Sequence, residues 1–400
     1  MSFVSKLVCA KCDTKYRPSE NQIMCARRDF GRLDIEYDYR RLGRFVRRAD
    51  FGKGQNGIWR FSNLLPVKER FAVSLGEGGT RLLKARRLAD RIGLSKTYLK
   101  DETRNPTGSF KDRAMAVGVS KAVELGVKTV VTASSGNAAA SLAAYSAKAG
   151  LSCYAFVLES ASAGKIAQLT LHGATVIKVR GIEKGEDPTV HAMLRAVETQ
   201  GWYPCPSFGP FNPYQVEGPK TIAYEIVQQM DWKVPDWVIV PTGSACLLTG
   251  LWKGVRDLLE LNWIQEPPKL APVQPEGNSP LIKALKKNLP FEELKPERSP
   301  KTIAQGLSDP YPWDGDAALE AVRKSMGEGV SVGDGEIVTA VKELARNEGV
   351  FAEPSGAVGV AGLTKLLSEG LVDRNESAVI LVTGSGLKDV STTVPRERVE

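Results

Sequence analysis

A chain of 400 residues with 42% hydrophobic and 25% charged content can bury a sizeable core, and its length implies two domains or one large α/β unit. No apolar run approaches the roughly 18–20 residues of a membrane span and no secretory signal opens the sequence, so a cytoplasmic protein without a membrane partner is expected. The formal charge of +8 suggests a polyanion partner until it is located: residues 1–60 hold 14 Lys/Arg against 7 Asp/Glu, and the rest hold 40 against 39, so the body is neutral and no nucleic-acid partner is expected of it.

Cys9 and Cys12 form a C-x2-C pair, and Cys25 follows where a zinc ribbon would continue. Arg28 stands where a second pair would need cysteine, and the two histidines, His172 and His191, lie far along the chain. A structural zinc takes four ligands, so the segment reads first as a knuckle that packs on Leu7, Tyr16, Ile23 and Leu33 with no metal, a zinc on the three cysteines being the alternative. Six cysteines without a dense framework fit a reducing compartment. Arg40, Arg41, Arg44, Arg47 and Arg48, near Phe45, are spaced as one solvated or subunit-facing side of a short helix, with anion binding the alternative.

From about residue 97, short β-branched runs alternate with longer amphipathic stretches, the pattern of βαβ units around a mostly parallel sheet. A helical pattern runs from about Phe110 to Gly126. Val127 to Thr132 reads as a buried strand that enters Ser134-Ser135-Gly136-Asn137, followed by an Ala-rich helix stopping at Gly150. Cys153 to Leu158 and Ala174 to Val179 read as strands on either side of a helix from Gly164 to Leu171. Trp237 to Val240 is a strand ending at Pro241-Thr242-Gly243-Ser244, with a helix from about Cys246 to Glu260. The Pro-rich stretches Glu266 to Pro280 and Pro290 to Pro300 read as surface excursions. Ala378 to Val382 is a strand that breaks at Thr383-Gly384-Ser385-Gly386. Three strand ends thus share Gly with Ser, Thr or Asn, and in open parallel sheets ligands bind beyond the carboxyl ends of strands.

The most informative string is Asn105-Pro106-Thr107-Gly108-Ser109-Phe110-Lys111-Asp112-Arg113. Turn chemistry precedes a helix here, placing Lys111 in a first turn, where the helix dipole disfavours an ammonium and favours a nucleophilic amine or a Schiff base. The string resembles the cofactor-lysine motif of threonine synthase and its relatives, the fold type II pyridoxal-phosphate enzymes. The similarity extends from Gly76-Glu77-Gly78-Gly79-Thr80 to Leu387-Lys388-Asp389, and the early cysteine ribbon and Tyr37-Asp38-Tyr39 resemble the shorter threonine synthases.

The resemblance implies that Lys111 holds pyridoxal 5′-phosphate as a Schiff base and later acts as general acid/base. Asn137 would bond the ring hydroxyl. Ser134, Ser135 and Gly136 would grip the substrate carboxylate. Gly243, Ser244, Ala245, Cys246 and Leu247 occupy the family's phosphate cup, where backbone N–H groups at a helix N-terminus serve as donors. Ala245 fits poorly if that position needs a positive φ. Thr383 would face the pyridine nitrogen, Asn212 would line the substrate-phosphate region, and Glu353 belongs to a turn near the site.

The reaction implied is conversion of O-phosphohomoserine and water to threonine and phosphate. Two departures bear on it: Ala138 stands where such enzymes commonly have a Thr that reaches the leaving phosphate, and Ser385 where many have His. Arg180 or Lys184 could compensate for the lost contact. The same apparatus also serves β-replacement on O-phosphoserine, as in a cysteate synthase, or dehydration of serine or threonine; a relative that binds a ligand or nucleic acid without turnover is the reading from another class. The implied architecture is two open, mostly parallel α/β domains with the cofactor in the cleft: a large domain of residues 76–111 and 213–400, a small one of 112–212, and an N-terminal extension of 1–75, in a homodimer.

Overall fold

The computed structural model describes residues 3–54, 57–159, 161, 163–180 and 188–388. Lys184 and Asp389 lie outside them. The polypeptide divides into two compact units, the first formed by Met1–Gly79, Lys111–Tyr224 and Gly250–Trp263, the second by Thr80–Phe110, Glu225–Thr249 and Ile264–Glu400. Among the described residues no helix is long and apolar enough to cross a membrane.

The first unit holds two sheets. Its four-stranded sheet runs in the order Thr175–Val179, Ser152–Leu158, Thr129–Ala133, Tyr203–Pro204, and every pairing is parallel. The Ala-rich helix Asn137–Ala149 follows the central strand and ends at Gly150, whose φ of +68° a residue with a Cβ would resist. Small side chains let this helix bury Ala138 through Ser146 without a break.

The other sheet of this unit is antiparallel, in the order Lys15–Tyr16, Val4–Cys9, Leu33–Tyr37. Beside its buried apolar side chains, buried ionic contacts tie it in. Lys253, 5% exposed, pairs with Asp34 and lies 2.9 Å from Glu217; Lys220, fully buried, lies 2.7 Å from Glu217 and 3.0 Å from Asp257. The Tyr37-Asp38-Tyr39 string belongs here: Tyr37 donates to Glu217 at 2.6 Å and Tyr39 to Asp257 at 2.5 Å. Burial alone would raise the Asp34 carboxyl, but the Lys253 ammonium and the Arg32 and Arg256 guanidiniums outweigh it and hold Asp34 well below the usual carboxylate range. Just beyond, the helix Tyr39–Phe45 buries Leu42 and exposes Arg40, Arg41 and Arg44, with the Arg41 guanidinium over the Phe3 ring.

The second unit is built on one six-stranded sheet in the order Val330–Val332, Lys269–Pro275, Trp237–Pro241, Ser377–Val382, Lys96–Asp101, Leu82–Lys84, parallel except for the last pair. One strand corrects the sequence reading: Lys269–Pro275, inside the stretch taken as a surface excursion, is a buried interior strand. Its prolines fall at the margins of a short pairing, since Val330–Val332 begins opposite Val273 and ends opposite Pro275, so missing N–H groups cost little there.

The helix Pro354–Ser368 lies close against this sheet because of a glycine stripe. A Cβ on Gly359 would come within 2.8 Å of Ile380 and one on Gly362 within 2.3 Å of Val273. Three helical glycines are each unfavourable by about 1 kcal/mol relative to alanine, yet they set the N-terminus of this helix against the strand end at Thr383.

Candidate active site

Lys111 opens the helix Lys111–Glu124, and its neighbours in the motif fix that start. Asp112 and Arg113 are fully buried. Asp112 accepts from the Ser141 hydroxyl at 2.5 Å, Arg113 donates to Thr221 at 2.9 Å, and Gly218 passes so close that a Cβ there would sit 2.0 Å from the Arg113 carbonyl oxygen. With the helix clamped on two sides, the Lys111 Nζ donates to the Ser207 hydroxyl at 2.9 Å.

Sequence reasoning missed Ser207. It is fully buried, has a φ of +67°, and its N–H donates to Gln215 Oε1 at 2.9 Å. A non-glycine residue held in this region stores roughly 1–3 kcal/mol of strain, and such strain clusters at functional sites. The one sequence signal was its setting in Cys205-Pro206-Ser207-Phe208-Gly209-Pro210, dense in turn formers. Removing the hydroxyl as Ser207→Ala takes away a hydrogen bond worth about 0.5–1.5 kcal/mol. The expected result is a fall of up to roughly one decade in kcat/KM with little change in melting temperature; unaltered steady-state kinetics would rule out a positioning role for Ser207.

Asn212, expected near the substrate, is fully buried, and its amide is engaged with the backbone: Nδ2 donates to the Pro204 carbonyl at 2.8 Å, and Oδ1 accepts from the Tyr214 N–H at 3.1 Å. It thereby organises the segment that carries Ser207. Ser134, Ser135, Gly136 and Asn137 are half-buried at the end of strand Thr129–Ala133, where the Ser134 hydroxyl accepts from the Gly136 N–H at 3.1 Å and Asn137 begins the next helix. Ala138, 6% exposed, is the second residue of that helix. Arg180 pairs with Glu159 at 3.1 Å.

In the second unit, strand Trp237–Pro241 leads through Gly243 and Ser244 into the helix Cys246–Glu260. Ala245 adopts a φ of +72°, the left-handed conformation a glycine would have taken without strain. That turn leads into the N-terminus of a 15-residue helix, where unpaired N–H groups and the helix dipole favour an anion. Gly243 faces the Gly306 carbonyl oxygen and Leu307 Cα, each 3.2 Å from where a Cβ would be, and the Ser244 carbonyl accepts from the Asp314 N–H at 2.9 Å.

Thr383, 4% exposed, directly follows strand Ser377–Val382, and its hydroxyl lies 3.5 Å from the Ser355 carbonyl oxygen. Its own carbonyl accepts from the Phe110 N–H at 3.0 Å, and Ser109 bridges to Gly384, so the motif is stitched to this strand end up to the residue before Lys111. The Glu353 N–H donates to the Gly384 carbonyl at 3.0 Å, and a Cβ on Gly384 would lie 2.2 Å from the Glu353 carboxylate and displace it.

Each unit by itself offers groups that fit pyridoxal phosphate: the second a turn ahead of a helix N-terminus and a hydroxyl at a strand end, the first a lysine whose helix and partner are fixed in advance. The profile described as "Pyridoxal-phosphate dependent enzyme" matches residues 73–384. A threonine synthase of Methanosarcina acetivorans is 41% identical over 97% of this chain and 93% of its own length. One of Methanocaldococcus jannaschii is 42% identical over 96% and 93%. Among solved structures, the processed threonine deaminase isoform 2 of Solanum lycopersicum superposes with a TM-score of 0.66 over 78% of this chain and 87% of its own, at 23% identity, a likeness of fold.

Proposed function

From the premise that this chain belongs to the pyridoxal-phosphate-dependent enzyme family, we propose that it is a threonine synthase, converting O-phosphohomoserine and water to threonine and phosphate. The observation that carries this reading is identity above 40% along nearly the whole length of two threonine synthases.

When bound, pyridoxal phosphate supplies an electron sink for the charge that develops at the substrate's α-carbon. Lys111 would hold the cofactor and take up or return a proton at Nζ, while the Ser207 hydroxyl fixes the direction of that amine. Ser134 and Ser135, with the Gly136 and Asn137 backbone, would bind the α-carboxylate at the N-terminus of a 13-residue helix, where the dipole favours an anion. Asn137 would bond the ring hydroxyl. The N–H groups of Gly243 through Leu247 would bind the cofactor phosphate. Thr383, a neutral hydroxyl, would face the ring nitrogen without imposing a cation on it. The same reading carries a cytoplasmic homodimer that acts on a small amino-acid phosphate, and the near-neutral body of the chain supports the exclusion of nucleic acid.

Ala138 favours one second reading, β-replacement on O-phosphoserine, because that substrate carries its phosphate one carbon nearer Cα and so need not depend on a hydroxyl placed for a γ-phosphate, which a methyl group cannot supply. The discriminating experiment supplies O-phosphohomoserine and O-phosphoserine separately and follows both phosphate and amino-acid products. Threonine and phosphate from the first substrate are expected; phosphate from O-phosphoserine alone would reassign the enzyme.

A further inference from the structure

Cys9 closes a strand and Cys12 lies in the turn after it, which a hydrogen bond from the Asp13 N–H to the Cys9 carbonyl tightens at 3.0 Å. A second, tighter turn follows Cys25: the Arg28 N–H donates to the Cys25 carbonyl at 2.9 Å. The cysteine wanting at position 28 is replaced in space by the next residue. Left-handed Arg28 and Phe30, with φ of +53° and +54°, swing Asp29 back toward the sulfurs. One ligand atom each from Cys9, Cys12, Cys25 and Asp29 lies within 4.8 Å of all the others.

We propose that Cys9, Cys12, Cys25 and Asp29 form a closed structural zinc site. Zn–S bonds of about 2.3 Å and a Zn–O bond of about 2.1 Å at tetrahedral angles put neighbouring ligand atoms about 3.6–3.8 Å apart. Cys12 Sγ lies 3.6 Å from Cys25 Sγ, and Cys9 Sγ lies 3.7 Å from both Asp29 oxygens. Three thiolates and a carboxylate are a soft donor set that selects zinc over magnesium or calcium.

The surroundings are organised as a ligand set requires. The Gly31 N–H donates to Asp29 Oδ1 at 2.9 Å, which orients the carboxylate and leaves Oδ2 for a metal. The Tyr16 hydroxyl accepts from the Ala26 N–H at 2.9 Å and lies 3.3 Å from Cys25 Sγ, where it would donate to a metal thiolate. Gly31 has no alternative: a Cβ there would lie 2.4 Å from Cys9 Sγ. All six cysteines are free, so no disulfide holds the two turns together. The second turn also carries Arg28, 3.2 Å from Glu198, and Phe30, edge-on to Phe211 at 6.0 Å, so the metal would anchor a loop resting on the segment that includes Asn212.

The test is metal analysis of the full-length protein purified under reducing conditions without chelator, then replacement of the bound metal by cobalt. One zinc per chain is expected, with cobalt giving tetrahedral ligand-field bands and thiolate charge-transfer bands. Cys12→Ser should lose the metal. Asp29→Ala should weaken metal affinity by more than the roughly 10–100-fold that loss of an outer-shell partner causes, and Asp29→Cys should restore it. Should the serine variant not fold, chelator extraction of the wild-type protein and titration of the released zinc give the same stoichiometry. Wild-type protein free of metal and giving no cobalt bands overturns the site, as does a Cys12–Cys25 disulfide in mass analysis; iron in place of zinc overturns the metal's identity, and unchanged affinity in Asp29→Ala removes Asp29 from the ligand set.

Discussion

Lys111→Ala is expected to abolish the visible absorbance of the bound cofactor and to lower turnover by at least the roughly 10²–10⁴-fold that a positioned acid/base group contributes. The effect should exceed that of any other single change in the site, because Lys111 is asked both to hold the cofactor and to move the proton. Its helix should survive the change, since the clamps on Asp112 and Arg113 do not involve the lysine side chain. Alanine is also a stronger helix former. The measurement pairs an absorbance spectrum of each protein with a phosphate-release assay and a melting curve. A variant that retains the band and most of the turnover would refute the assignment of Lys111; loss of activity accompanied by unfolding would instead show that Lys111 supports the fold.

The largest expected effect on stability lies far from that chemistry, at Lys253. Breaking a buried ion pair by removing one partner costs about 3–5 kcal/mol, because the remaining charge stays buried and uncompensated. Lys253→Met would take from Asp34 its lysine partner and from Glu217 one of two, with Arg256 at 3.0 Å and Arg32 at 3.6 Å compensating Asp34 in part and Lys220 at 2.7 Å compensating Glu217. A urea unfolding midpoint lowered by the equivalent of about 3 kcal/mol or more is expected, and a change below about 1 kcal/mol would show that the network adds little. By contrast Glu198→Gln, at an exposed pair, should stay within the ~1 kcal/mol typical of surface salt bridges.

The same network sets an acid limit. Although burial opposes it, neighbouring cations hold the Asp34 and Glu217 carboxyls below their ordinary values in the folded state. Groups depressed in this way contribute fully above the unfolded carboxylate range of about 3.9–4.3, and their contribution is lost as pH falls from there toward the folded values. Stability of the first unit should therefore decline below about pH 5, less steeply in Lys253→Met, which has already lost part of the term.

Much of the proposed site could be named along the chain because it is written in local grammar. Strand, Gly with a hydroxyl residue, then helix is a pattern of burial and turn chemistry within a few residues, and it marked the strand ends at Asn137, Gly243–Leu247 and Thr383, while the roles proposed for them rest on the family resemblance. Positive φ at Ala245 could be suspected from its place in that turn but not known, because alanine has no conformational signature of its own. The strand Lys269–Pro275 was hidden by its prolines: propensity argued for a loop, while sheet pairing on both sides decided otherwise.

What the sequence by itself determined was the alternation of strands and helices, the lysine at the start of its helix, and the neutral charge of the body. Only the tertiary structure joined Ser207 to Lys111 across 96 positions, Asp34 to Lys253 across 219, and Asp29 to cysteines on a neighbouring turn. Periodicity records which side of an element is buried, but not what it is buried against. Partners are chosen when distant segments close on one another, and a serine or aspartate bears no mark of that choice until its hydroxyl or carboxylate has been carried to the group it serves.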